Sequence, residues 1–265
     1  MKKIISAVAA TAIFTTGAFA HFQVMYIKES AMSKPTKQQM ELVFTHPFAD
    51  EHTMDMGTPN EFYVINPKGQ KENLKNKIKE ISFKGNHNSG KGYELDYTFK
   101  RMGDYLFVLD PAPYYEKNED AYIQQITKVV ANVAGSPSGW DKELGLKTEI
   151  VPLVKPYSIW EGGSFTGIVK SDGKPVPYAE IEVEHLNYDI DQKANAMGSK
   201  PHMNAPQDSF VTMSIKANKD GEFTFSIPKA GWWGFAALGS GKESEYKGKE
   251  LSQDAVIWVQ AKEVK

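Results

Sequence analysis

The chain has no cysteine among its 265 residues. It therefore folds without disulfides and offers no thiolate as nucleophile or metal ligand. It also lacks a basic excess. Its 31 Lys and Arg stand against 33 Asp and Glu, a net charge of −2, which excludes the strongly basic surface of a nucleic-acid binder. Past the first twenty residues no apolar run approaches the roughly 20 residues of a membrane span, so no membrane insertion is expected. There is no G-x-S-x-G, no H-E-x-x-H and no phosphate-binding glycine loop. With them go the commonest signals of hydrolases, metalloproteases and nucleotide-binding enzymes, and the chain is not expected to be an enzyme.

What is present begins with a leader. Lys2 and Lys3 precede the apolar run Ile4 to Phe14, and Ala18-Phe19-Ala20 has the A-x-A form of a cleavage site. Residues 1–20 are expected to be a signal peptide, and the exported chain, in a bacterial periplasm, to start at His21. Removing 20 of 265 residues leaves 245, and the loss of two lysines takes the net charge from −2 to −4. That length suits two domains of ordinary size. With 41% hydrophobic residues, such domains can be held by their cores alone.

The pattern is β throughout. Residues 39–46 and 60–69 are strand-like, and Tyr93, Leu95 and Tyr97 alternate at period two. The run 121–135 is rich in β-branched residues (Ile123, Ile126, Val129, Val130, Val133), which favours a long strand over a helix. One short helix is expected in the charged run 70–80. Two prolines in "IVPLVKPYSIW" mark a boundary, giving an N-terminal β-rich domain, 21–155, and a C-terminal domain, 156–265. In the latter, Asp172-Gly173 is a strong hairpin signal between alternating strands, and Asp220-Gly221 repeats the plan. The segments "GIVKSDGKPVPYAEIEV" and "KANKDGEFTFSIPKAGWW" resemble the transthyretin-like sandwich of carboxypeptidase regulatory-like domains. The expected fold is all-β, two β-sandwich domains, and Trp232-Trp233 is expected to pack one of them. The loop 187–208 carries Asp189, Asp191, Met197, His202 and Met203 and is long enough to be functional or disordered.

Six histidines are candidate ligands. "THPFADEHTMDMG" places His46, His52, Met54 and Met56 within one loop. His21 joins them if the first strand runs beside that loop. As a first residue, His21 would offer its α-amine and imidazole Nδ1 to one metal ion as a chelate ring. Both groups lose protons near neutrality. With two further imidazoles the set suits Cu(II) or Ni(II), and less specifically Zn(II) or Co(II). The plainer reading makes His46 a strand-end residue and tucks Met54 and Met56 into a core. His87 lies in a Gly/Asn turn and is expected to be exposed. His185 is expected to be structural, and His202 to belong to a lid or a weak second site. Glu116, Glu119 and Asp120 form an acidic, tyrosine-rich patch expected to be a solvated loop.

Longer motifs resemble a known family. "HFQVMYI", "FTHPFADEHTMDMGTP", "MGDYLFVLDPAPYYEKNEDAYIQQITK", "KAGWWGFAAL" and "GKELSQDAVIWVQA" are similar to DUF4198 proteins. More narrowly they resemble the exported NikK-type component of energy-coupling-factor nickel or cobalt uptake systems. The resemblance implies a periplasmic protein that binds Ni2+ (or Co2+) and hands it to a membrane transporter. It matches His21, His46 and His52 to the family's histidine positions, and Met54 and Met56 to its "MDM" segment. Some relatives carry a C-terminal membrane anchor; none is expected here, so contact with the transporter would be protein to protein. A copper chaperone or resistance protein is an alternative, since the chelate and the methionines also suit copper. An N-terminal histidine on a β-sandwich is also the device of copper-dependent lytic polysaccharide monooxygenases. A structural cell-envelope sandwich is the remaining alternative.

Overall fold

The computed structural model describes residues 21–50 and 52–264. The expected signal peptide lies outside them. The described chain is built of strands, with two three-residue 3-10 turns and no α-helix. The strands of four residues or more are β1 (Phe22–Ile27), β2 (Thr36–Thr45), β3 (Glu61–Ile65), β4 (Lys79–Lys84), β5 (Ser89–Phe99), β6 (Gly103–Asp110) and β7 (Ala121–Val133). They continue as β8 (Thr148–Pro152), β9 (Ser164–Ser171), β10 (Glu180–His185), β11 (Met213–Lys216), β12 (Glu222–Ser226), β13 (Gly231–Ala237) and β14 (Lys249–Lys262). Among the described residues no helix is long and apolar enough to cross a membrane.

Three sheets form from these strands. A long central sheet runs β11-β10-β13-β14-β7-β6-β3 and ends on the short strand Lys71–Asn73. The first smaller sheet runs β1-β2-β5-β4, extended by two short strands at Ala196–Met197 and Ile190–Asp191. The second joins β8, β9 and β12. The central sheet takes strands from both halves of the chain, because β7 pairs in parallel with β14 over Tyr122–Val129 and Leu251–Trp258. β8 precedes the expected boundary at 155, yet it pairs with β9 of the C-terminal half.

The period-two rule explains how one strand serves two cores. In β14, Val256 and Trp258 enter the core of the first sandwich. Ala255, Ile257, Val259 and Ala261 enter the core of the second. In β13, Trp232 and Ala236 face the first core, while Trp233, Phe235 and Ala237 face the second. The two smaller sheets therefore cover opposite faces of the central one, and these strands read as unbroken apolar runs.

Two local expectations are corrected. The run 70–80 forms no helix. Leu74 is fully buried and its N–H donates to the Phe62 carbonyl (2.8 Å), so the chain turns there through a 3-10 turn at Lys75–Lys77. Asp220-Gly221 closes no hairpin, since β11 pairs with β10 and β12 with β9. Asn218 Oδ1 accepts the N–H groups of Asp220 (2.8 Å) and Glu222 (3.0 Å), and this turns the chain from one sheet to the other. The long strand at 121–133 and the Asp172-Gly173 turn, with φ of 45° and 76°, form as expected.

A buried ion pair pins the layers. Lys128 on β7 meets Glu149 on β8, Nζ to Oε2 2.6 Å, with both side chains out of solvent. The other oxygen of Glu149 accepts the N–H groups of Leu144 (2.9 Å) and Gly145 (2.8 Å). Removing one member of such a pair strands a charge. Lys128→Met is expected to cost about 3 kcal/mol in urea unfolding, the low end for a broken buried pair because the amides still hold the carboxylate. Adding Glu149→Gln is expected to recover most of that loss.

His185, fully buried, has its Nε2 3.2 Å from the Ala230 carbonyl, and burial pushes its pKa down to about 4. The unfolded chain takes this proton near 6.5, so falling pH favours unfolding through that window. The stability gap between wild type and His185→Gln, which takes no proton, is expected to shift about 3 kcal/mol toward the variant between pH 6.5 and pH 4. Urea titrations at each pH measure it. A constant gap would show that the folded imidazole protonates as readily as the free one.

Candidate metal centre

β1 is the edge of the first smaller sheet, and side chains of the central sheet hold its start. Gln125 of β7 replaces a backbone partner, with Oε1 accepting the Gln23 N–H and Nε2 donating to the His21 carbonyl, both at 2.7 Å. Trp258 of β14 donates its indole N–H to the Gln23 carbonyl (2.9 Å). The far end has a matching clamp. Gln260 Oε1 accepts the Ser30 N–H (2.9 Å) and its Nε2 donates to the Lys28 carbonyl (3.1 Å). These bonds set where His21 stands.

His46 follows the end of β2, and β2 lies beside β1 with Thr45 opposite Phe22. The loop closes on itself, since the His46 N–H donates to the His52 carbonyl (3.2 Å) and the Asp50 N–H to the His46 carbonyl (2.8 Å). Thr45 Oγ1 donates to the His52 carbonyl as well (3.1 Å). Beyond it, Thr53 is locked to Asn88, which accepts its N–H (2.7 Å) and donates to its carbonyl (2.8 Å). The long loop after β10 braces the other side. The Asn187 N–H donates to the Pro47 carbonyl (3.0 Å) and its side-chain amide to the Phe48 carbonyl (3.3 Å).

This packing brings two of the expected residues into contact and leaves a third near enough to act on them electrostatically. The His21 and His46 rings meet edge to face with centroids 4.7 Å apart, and Phe44 lies 5.7 Å from His21. His52 is exposed, and its charge acts on both other imidazoles. Burial is the main reason that His21 titrates below its ordinary range, and it pushes His46 down to about 4. Both rings are neutral at pH 7 and so able to donate a lone pair.

A fourth group was not expected. Glu116, read from the sequence as part of a solvated loop, is buried, and its Oε2 lies 3.2 Å from His21 Nε2. It ends the short strand Tyr114–Glu116, which pairs with the start of β7 and so lies beside the Gln125 clamp. Its other oxygen accepts the Asn118 N–H (3.0 Å). The alternation Tyr114-Tyr115-Glu116 is the one sequence signal that could have separated the inward Glu116 from its exposed neighbours.

Met54 and Met56 are buried in the first core, and Met56 Sδ accepts a hydrogen bond from Gln23 Nε2 (3.3 Å). His87 lies on the β4–β5 turn, its charge acting on Asp50. His202 Nε2 stands 3.3 Å from Asp189 Oδ1, with its ring 5.7 Å from that of His185.

Among the described residues no three His, Asp or Glu side chains are set closely enough to hold a metal ion. The His21–Glu116 contact shows what the arrangement does offer. Glu116 takes the Nε2 edge of the ring, which leaves Nδ1, the nitrogen next to the residue's own α-amine. A carboxylate on the far nitrogen of a ligating histidine fixes its tautomer and raises its basicity. Beside the cluster, the hollow between Gln23, Phe44, Met56, Tyr114 and Gln125 measures about 10 Å³. That is room for a water or an ion and for no organic substrate. A wider cleft, about 710 Å³, lies elsewhere, between Lys200, His202, Lys229 and Gly231.

No curated protein matches the chain. Solved structures that match it include the native alpha-2-macroglobulin of E. coli, at 9% identity and a TM-score of 0.23 over 92% of this chain and 14% of that one. A DUF4785 protein of Legionella pneumophila matches at 12% identity and 0.29, over 80% and 50%. A putative carbohydrate-binding protein of Bacteroides uniformis matches at 14% and 0.26, over 88% and 99%. The chain thus spans 14% and half of the lengths of the first two. These likenesses are too distant to carry an argument about this site. The family described as a domain of unknown function, DUF4198, matches residues 18–241, which run through β13 and the turn after it, and the chain belongs to that family.

Proposed function

We propose that this protein is a periplasmic carrier that captures Ni2+ (or Co2+) at His21, His46 and His52 and delivers it to a membrane uptake transporter. The supporting observation is the His21 ring, 4.7 Å from His46 and bound through Nε2 to buried Glu116. Cleavage after Ala20 gives His21 a free α-amine. Amine and Nδ1 then close one chelate ring, and the imidazoles of His46 and His52 add two nitrogens. Such a nitrogen-rich set suits Ni(II) and, by affinity order, Cu(II) still more, so cellular metal content rather than affinity assigns the cargo.

Glu116 acts through the ring. By accepting from Nε2–H it keeps the lone pair on Nδ1, where the chelate needs it. Neutral His21 and His46 lose no ring proton when metal enters, which keeps binding strong at neutral pH. The amine, with an ordinary pKa of about 7.7–8.0, does lose one. Uptake and release are thereby tied to pH and to competing ligands on the transporter.

Isothermal titration with Ni2+ tests this on protein that begins at His21 and on a form with one extra residue before it. The added residue removes the free amine and is expected to weaken binding at least about tenfold. Equal affinities would take the amine out of the site. Glu116→Gln is expected to weaken binding by about 10–100-fold, as loss of an outer carboxylate does at other metal-bound histidines. Glu116→Ala binding as tightly as wild type would reduce Glu116 to a packing role.

A further inference from the structure

A second group of oxygens lies on the other face of the first smaller sheet, under the hairpin formed by Ile190–Asp191 and Ala196–Met197. Glu41 sits in the middle of β2, opposite Tyr26 of β1 and Glu94 of β5. Its neighbours Met40 and Leu42 point into the core, so Glu41 points away from it, toward the hairpin. The hairpin is fastened there by a reciprocal pair, with Gln192 Nε2 donating to the Gln39 carbonyl (2.9 Å) and Gln39 Nε2 to the Gln192 carbonyl (3.1 Å). Under this cover Glu41 is fully buried, and its Oε2 has no hydrogen-bond partner.

The Asn195 side-chain amide stands 3.2 Å from Glu41 Oε1 and 3.3 Å from the Gln192 carbonyl. Turned one way, its NH2 donates to both. Turned the other way, its oxygen would stand among oxygens alone, an orientation that only a cation held between them would favour. Either way Glu41 Oε2 stays unsatisfied, a costly state for a buried carboxylate. The facing charges make it costlier. Glu94 and Asp191 both raise the proton affinity of Glu41, after burial itself, and its pKa is pushed up to about 7. Glu94 has Lys79 as its register partner on β4, and Gln39 Nε2 donates to it (3.0 Å). Lys193 on the hairpin tip is exposed. Tyr26, with its pKa raised to about 12, contributes no charge at neutral pH.

We propose that the oxygens under this hairpin bind a hard divalent cation of the calcium class, held by the Glu41 carboxylate, the Asn195 side-chain oxygen and the Gln192 carbonyl. Such ions take six to eight oxygens from carboxylates, amide and main-chain carbonyls and water, and oxygens about 3.2 Å apart sit naturally on one shell. Binding satisfies Glu41 Oε2, turns the Asn195 oxygen inward and ties the hairpin to β2. The site has no imidazole and is separate from the His21 cluster.

Thermal unfolding at pH 7.5 in EGTA and in 1 mM CaCl2 tests it. Calcium is expected to raise the melting temperature of wild type by at least about 3 °C. Glu41→Gln keeps the shape, loses the charge, and is expected to fold with no calcium response. Asn195→Gly suits the left-handed backbone there, φ 48°, and is expected to lose the response as well. His21→Ala is expected to keep it, which separates this site from the imidazole cluster. No calcium shift in wild type, or an equal shift in wild type and Glu41→Gln, overturns the proposal. Stabilisation of wild type by lowering the pH to 6, with no effect of calcium, would make Glu41 a protonated acid instead.

Discussion

The parallel pairing of β7 with β14 is the constraint on which the rest of the molecule depends. It joins Tyr122–Val129 to Leu251–Trp258, segments more than a hundred residues apart. Without it there would be two separate sandwiches. With it, one central sheet carries both cores on opposite faces, and the alternation of β14 supplies side chains to each. Closing so long a loop costs entropy that grows only slowly with its length. The apolar surface buried on both faces of β13 and β14 offsets that cost.

The same pairing sets the candidate site. β7 contributes Gln125 and β14 contributes Trp258, and together they hold the backbone of β1 at His21 and Gln23. β7 also carries the short strand that bears Glu116. So the ring of His21 and the carboxylate that orients it are both positioned from one strand. A chain with no disulfide uses buried polar side chains for this task. Gln125, Gln260 and the Lys128–Glu149 pair each cross between layers, and each is satisfied by specific partners. Such bonds add little net stability, but mispairing them is expensive, so they select one arrangement over its neighbours.

The chemistry of the imidazole cluster follows from where burial falls. His21 and His46 are shielded and kept neutral, while His52 is exposed. A metal entering from the side of His52 would meet rings already able to donate. Met54 and Met56 are buried in the first core, and Met56 accepts a hydrogen bond from Gln23.

Much of this was legible in the sequence. The β-branched run at 121–133 and the alternation of Tyr93, Leu95 and Tyr97 are local patterns, and local patterns report strands and their faces. Asp172-Gly173 closes its turn because the turn itself demands those residues. The nearness of His46 and His52 was also legible, since residues six positions apart in one loop cannot lie far apart. What the sequence could not determine was non-local. Asp220-Gly221 carries the same turn signal as Asp172-Gly173, yet its strands go to different sheets, because sheet membership is decided by packing and not by the turn. Glu116 looked solvated because nothing local announces that His21, 95 residues earlier, will cover it. Glu41, one of several polar residues along β2, gave no hint of the hairpin that closes over it. The sequence by itself determined most of the strands and the places of the histidines along the chain. Only the tertiary structure decided which of those histidines share a ring's edge, because that depends on a strand pairing that no neighbouring residue records.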